Sequence, residues 1–134
     1  MLNIREGQFE TNSSSTHKFF IPKEGGKINI PDSITLFRGS DNYATQEGRI
    51  RFLYQYAENY GRENDFIMYL KSKGIEIEDE ESLNIDSLCS CFGISEEELD
   101  ALCFNTNTVS ENNEEFSTVE DDYEHYKKVE IDGY

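Results

Sequence analysis

The feature that most constrains the fold of this chain is a change in its apolar period near Tyr43. Ahead of it, Phe19-Phe20-Ile21 runs up to Pro22 and Lys27-Ile28-Asn29-Ile30 runs up to Pro31, two short segments of strand character bounded by turn residues. Beyond it, Ile50, Leu53, Tyr54, Ala57 and Tyr60 recur at helical spacing, which predicts an amphipathic helix from about Thr45 to Tyr60. Short strands followed by helices, without a regular βαβ alternation, specify an α+β fold. The expectation is a short mixed or antiparallel sheet packed with about three helices in a single compact domain spanning residues 1–134.

Local signals fill in this outline. Leu2, Ile4 and Phe9 suit an edge strand or extended arm, and the small polar residues Thr11 to Thr16 an irregular turn, because their side chains compete for nearby backbone groups. Lys23-Glu24-Gly25-Gly26 reads as the loop of a hairpin joining the two early strands, and Arg38 to Asn42 as a turn-rich break after Ile34, Leu36 and Phe37. Gly61 closes the first helix. Asn64 or Glu63 is expected to cap a second, with Phe66, Ile67 and Leu70 on its apolar face and Gly74 after its end. Ile75 to Glu78 alternates like a strand before the acidic turn Asp79-Glu80-Glu81. Ser95-Glu96-Glu97-Glu98 is a capping box that predicts a helix from Glu96 to about Phe104. A final strand is expected through Lys128-Val129-Glu130-Ile131, in an acidic C-terminal segment from about residue 111 that is expected to be partly flexible.

The apolar fraction is only 36%, so the nine Phe and eight Tyr must supply much of the core volume. The net charge of −16 is unevenly placed. Residues 1–75 hold ten Lys or Arg against nine acids, whereas residues 76–134 hold two against nineteen, a net of −17. Such a field repels nucleic-acid backbone and attracts basic surfaces. No charged, apolar leader stands near Met1 and no apolar run approaches the roughly 20 residues of a membrane span, so a cytoplasmic location is expected. Three cysteines make no disulfide framework. Cys89-x-Cys91, Cys103 and either His17 or His125 lack the paired knuckles of structural zinc, and no metal or cofactor is expected.

Three readings of function follow from these residues. In the first, the acids Glu111, Glu114, Glu115, Glu120, Asp121, Asp122 and Glu124 bind a partner protein with a basic surface, standing in for the phosphates of a nucleic acid. In the second, Arg5, Asn12, Ser13, Ser14, Ser15 and His17, joined by Asn105 and Asn107 if Asn105-Thr106-Asn107-Thr108 packs beside them, hold a nucleotide or phosphorylated ligand. In the third, the chain is a small structural or interaction domain whose acids keep it soluble. No catalytic residue is assigned. Ser13 to Ser15 beside His17 lack a nucleophile elbow, and acid clusters such as Glu96 to Glu98 are accounted for by helix capping. Tyr54, Tyr56, Tyr60 and Tyr69, interleaved with Arg49, Arg51 and Arg62, invite comparison with a base-stacking surface. Tyr54 and Tyr60 fall on the apolar stripe, which leaves Tyr56 and the three arginines for an exposed face, and direct nucleic-acid binding is not expected at this net charge.

The run Phe9-Glu10-Thr11-Asn12-Ser13-Ser14-Ser15-Thr16-His17, preceded by Ile4-Arg5-x-Gly7, resembles the N-terminal signature of a group of small proteins of phages and prophages of Gram-positive bacteria. The Tyr-rich segment Ile50 to Tyr60 and the Phe104 to Thr108 turn look like later landmarks of that group, while the aromatic, glycine-rich stretch it carries ahead of the helix is faint here, at Leu36 to Tyr43. The resemblance implies an accessory protein of a phage or mobile element. By analogy with small acidic phage proteins, it also implies inhibition of a host-defence nuclease, anti-CRISPR activity included.

Overall fold

Strand β1 (Thr16–Pro22) is the middle of a three-stranded antiparallel sheet, with β2 (Val109–Ser110) on one side and β3 (Tyr126–Asp132) on the other. The computed structural model describes residues 16–36, 43–77 and 83–132. The strand expected at Leu2 to Phe9, most of the polar turn from Thr11, the break at Arg38 to Asn42 and the acidic turn at Asp79 to Glu81 lie outside the described residues. Among the described residues the elements run β1, α1 (Gln46–Asn59), α2 (Glu63–Ser72), α3 (Ile85–Phe92), α4 (Glu96–Phe104), β2, α5 (Phe116–Val119), β3, an α+β fold.

The strand period sorts β1 into two faces. Phe19 and Ile21 point into a core shared with Val129 and Ile131 of β3 and the apolar residues of α1 to α4. Phe20 points the other way, into a smaller cluster with Val109 and Val119, flanked by Phe116 and Tyr126. Both faces of the sheet are therefore covered, by four helices on one side and by α5 on the other. Burial of a Phe side chain contributes about 1.5–3 kcal/mol, and Phe19, Phe20, Phe66 and Phe104 are all fully buried.

The helices form where local signals are strong. Thr45 caps α1, its hydroxyl accepting from the Gly48 N–H at 3.0 Å. The box at α4 is complete: Ser95 Oγ accepts from Glu98 N–H (3.1 Å) while the Glu98 carboxylate accepts from Ser95 N–H (2.9 Å). At α2 neither Asn64 nor Glu63 is the cap; that position falls to Arg62, with no side-chain cap bond. Helix α3 adds to the expected set, capped by Asn84 and ended by Gly93 at φ 70°.

The expected hairpin does not form. Both edges of β1 are taken by β2 and β3, so residues 27–30 find another neighbour: Thr106 N–H donates to Lys27 O (3.3 Å) and Asn29 N–H to Phe104 O (2.7 Å), an isolated antiparallel bridge between Ile28 and Asn105. The alternating stretch at Ile75 likewise makes a single bridge, Ser33 to Glu76, rather than a strand. Thr16, placed by its sequence in the polar turn, starts β1 and donates its hydroxyl to Asp132 at 3.2 Å. Among the described residues no helix is long and apolar enough to cross a membrane.

Candidate functional site

The chain between β2 and β3 crosses from one edge of β1 to the other over the Phe20 face, carrying α5 with it. Its inward side chains, Phe116 and Val119, complete the small apolar cluster. Phe116 packs edge-on against Phe20 with ring centroids 5.5 Å apart. Most of the remaining positions face solvent: Glu111, Glu114, Glu115, Asp121 and Glu124 are exposed, and Glu120 and Asp122 are half-buried. Residues 111–124 contain seven carboxylates, Glu111, Glu114, Glu115, Glu120, Asp121, Asp122 and Glu124, and no Lys or Arg.

The crossover is tied down at both ends by backbone bonds. Glu111 N–H donates to Lys18 O (3.2 Å), and Lys23 N–H donates to His125 O (2.8 Å). Inside it, Asn113 Oδ1 accepts from Glu115 N–H (2.9 Å) and Asp122 accepts from His125 N–H (3.2 Å), with the His125 ring Nδ1 3.0 Å from the same carboxylate oxygen. Asp122 is thus a turn residue as much as a surface charge. Glu111 lies 4.0 Å from His17 Nδ1.

Three cations near the crossover contact groups other than its carboxylates. Lys127 pairs with Glu98 on α4, Lys128 with Glu130 (3.4 Å), and the Lys23 ammonium donates to the Tyr123 carbonyl at 2.6 Å. Glu114, Glu115, Glu120, Asp121 and Glu124 make no ion pair with a described residue. The result is a surface of unneutralised carboxylates on a backbone fixed by a sheet and an apolar cluster, suited to meeting an array of cations without first ordering itself.

Of the residues of the second reading, His17 lies apart from Asn105 and Asn107. Arg5, Asn12, Ser13, Ser14 and Ser15 lie outside the described residues. His17 packs its ring 4.5 Å from Phe52 and 5.3 Å from Tyr43. Asn105 and Asn107 sit at the other end of β1: the β2 pairing, Phe19 with Ser110 and Phe20 with Val109, runs back towards Pro22 for residues before 109. His17 and Pro22 are five strand positions apart, roughly 16 Å. The two asparagines have a structural task. Asn105, buried, accepts from Asn107 N–H (2.8 Å) through Oδ1, and both amides close on Gly26, where an added Cβ would lie 2.8 Å from Asn107 Nδ2.

The tyrosine and arginine stripe is corrected by the packing. Tyr56 is buried and stacks on Phe92 at 5.5 Å, whereas Tyr60, past the end of α1, is 54% exposed. Tyr69 is buried, its hydroxyl donating to Asp100. Arg49 is only 1% exposed and reaches the C-terminus of α4. Arg51 pairs with Glu47 at 2.7 Å. No aromatic and basic platform is left among the described residues of α1.

Cys89 and Cys91, two apart on α3, point about 200° away from one another, so they do not share an ion. Cys103 is fully buried, and burial pushes its thiol far up, with Tyr69, Asp100, Arg49 and Lys73 adding smaller effects of both signs. Desolvation also raises Cys89 and Cys91. Raised thiols are poor nucleophiles at neutral pH. Among the described residues no group of three His, Cys, Asp or Glu is placed to hold a metal. The chain matches no family model, no curated protein and no solved structure.

Proposed function

We propose that this chain acts by binding rather than by catalysis, and that its binding surface is the acid-coated crossover between β2 and β3. The crossover occupies a positively charged surface of a partner protein, of the kind a nuclease offers to nucleic-acid backbone. The setting implied by the Phe9 to His17 run is a phage accessory protein, and by analogy with small acidic phage proteins the partner is a host-defence nuclease in the cytoplasm. The observation that carries the reading is the run of seven carboxylates with no Lys or Arg, held on the outer side of a backbone anchored at both ends. Carboxylates fixed at the surface offer charge in place of phosphate and steer a basic partner over about 10 Å at 0.1 M salt.

The test uses the immobilised full chain and a lysate of a Gram-positive host. A partner bound through this surface is released by moderate salt, displaced by duplex DNA and lost from a variant carrying Glu114→Gln, Glu115→Gln, Asp121→Asn and Glu124→Gln. Capture by the variant at undiminished affinity, insensitive to salt and DNA, overturns the reading.

A further inference from the structure

The segment that fails to form the hairpin has an edge that no described strand pairs with. Its bridge to Asn105 is of the type in which residues 27 and 29 make the bonds: Lys27 O accepts from Thr106, and Asn29 bonds Phe104 O through its N–H and Gln46 through its carbonyl. In an extended chain residues 28 and 30 then turn their N–H and C=O groups to the opposite side. Neither Ile28 nor Ile30 makes a backbone bond to a described residue there. Their side chains share one face by the period of two and are 58% and 45% exposed. Two exposed isoleucines on an edge unpaired among the described residues are what proteins ordinarily avoid, because such an edge recruits another strand.

Charge decides what this edge recruits. Ile28 borders a groove of about 410 Å³ whose floor includes Ile21 and Ala101 and whose rim carries Glu97 and Asp100 from α4. The groove's cation, Lys23, is directed to the Tyr123 carbonyl, while Glu97 has no ion-pair partner among the described residues. A second copy of the chain would add a further net charge of −16 to the complex, which opposes self-association at low salt.

We propose that the Ile28–Ile30 edge takes up an extended segment of a partner protein, alternating apolar and basic residues, as an added strand. Backbone bonds from Ile28 and Ile30 hold the segment, its apolar side chains cover the two isoleucines, and a Lys or Arg reaches Glu97. This surface is separate from the crossover, and either can fail without the other.

The experiment titrates the ¹⁵N-labelled full chain with the blocked peptide Lys-Val-Lys-Val-Lys-Val-Lys and, as a control, with its Glu-for-Lys counterpart. The basic peptide is expected to shift the amides of residues 27–30 and 97–101 and to slow hydrogen exchange at Ile28 and Ile30 by about tenfold or more at saturation. The effect is lost in the Ile28→Asp/Ile30→Asp variant with an unchanged circular dichroism spectrum. It is also lost with a peptide methylated on alternate backbone nitrogens, which keeps its charge but cannot pair, and it survives the four crossover substitutions. Four results overturn the proposal: shifts confined to residues 111–124, equal binding of the acidic or methylated peptide, no response to the basic peptide, or exchange that slows with protein concentration in its absence.

Discussion

Arg49, on α1, donates its Nε–H to the Leu102 carbonyl at 2.9 Å and an Nη2–H to the Asn105 carbonyl at 3.1 Å, so a buried guanidinium joins α1 to the last turn of α4. Its countercharge is the negative end of a helix rather than a carboxylate. Burial lowers Arg49 to about 10, with nearby Cys103 opposing that shift, and it remains charged at neutral pH.

Arg49→Lys keeps the charge and removes the fork. One of the two carbonyls is left unbonded, and urea unfolding should show a loss of about 1–3 kcal/mol. A loss within error would mean that the fork carries no stability.

The capping box gives a prediction with a pH dependence. Ser95→Ala should cost about 1 kcal/mol. Burial alone would raise the Glu98 carboxyl, but the Lys127 ammonium and the Ser95 hydrogen bonds together hold it below its ordinary 4.5. A depressed carboxylate contributes stability that is present above its unfolded value and is lost as pH falls through the folded one. The stability difference between wild type and Glu98→Gln should therefore be constant near neutrality and shrink as pH falls below about 4.5. A constant difference down to acid unfolding would contradict this origin.

Gly26 is pressed by the asparagine pair. An added Cβ meets Asn107 Nδ2 at 2.8 Å and Asn105 Oδ1 at 3.1 Å, so Gly26→Ala should cost about 1 kcal/mol or more in thermal or urea unfolding. The exposed Asn107 side chain can yield while the buried Asn105 cannot. Adding Asn107→Ala to Gly26→Ala should recover part of the loss, and strict additivity of the two would count against this contact.

The crossover acids repel one another. Raising salt from 0.01 to 1 M shortens the screening length from about 30 Å to about 3 Å, and the wild-type midpoint of thermal unfolding should rise over that range. Replacing Glu114, Glu115, Asp121 and Glu124 by their amides should leave the fold intact, each within about 0.5 kcal/mol, and reduce the salt response. An undiminished response would place the repulsion elsewhere in the chain.

What the sequence made legible was local. Helix α1 shows about three turns of period and α4 a complete reciprocal cap, and both form where those signals stand. Helix α3 carried a usable signal too, since Ile85, Leu88, Cys89 and Phe92 recur at helical spacing between Asn84 and Gly93, but eight residues give only two turns of it. The partners of β1 were not legible: register between strands some 90 residues apart depends on which segment reaches an edge first in energy, not on spacing along the chain. The buried arc of α1 is wider than one stripe because α2, α3 and α4 all contact it, which is why Tyr56 and Arg49 are inside. Of the site residues, the charge of residues 111–124 could be read directly; that they coat a crossover anchored over Phe20 could not.

The central position of β1 also sets an order of assembly. Its partners follow it by 87 residues or more, so the strand leaves the ribosome long before either neighbour has been made, an interval of roughly 5–20 s at ordinary rates of synthesis. Helices α1 to α4, which contact one another and meet β1 through its Phe19 face, can gather in that interval, while Phe20 waits for β2 and the crossover. The acid-rich crossover and then β3 are laid down after these helices; the crossover covers Phe20 on one face while β3 joins the edge of β1 and brings Val129 and Ile131 to Phe19 on the other.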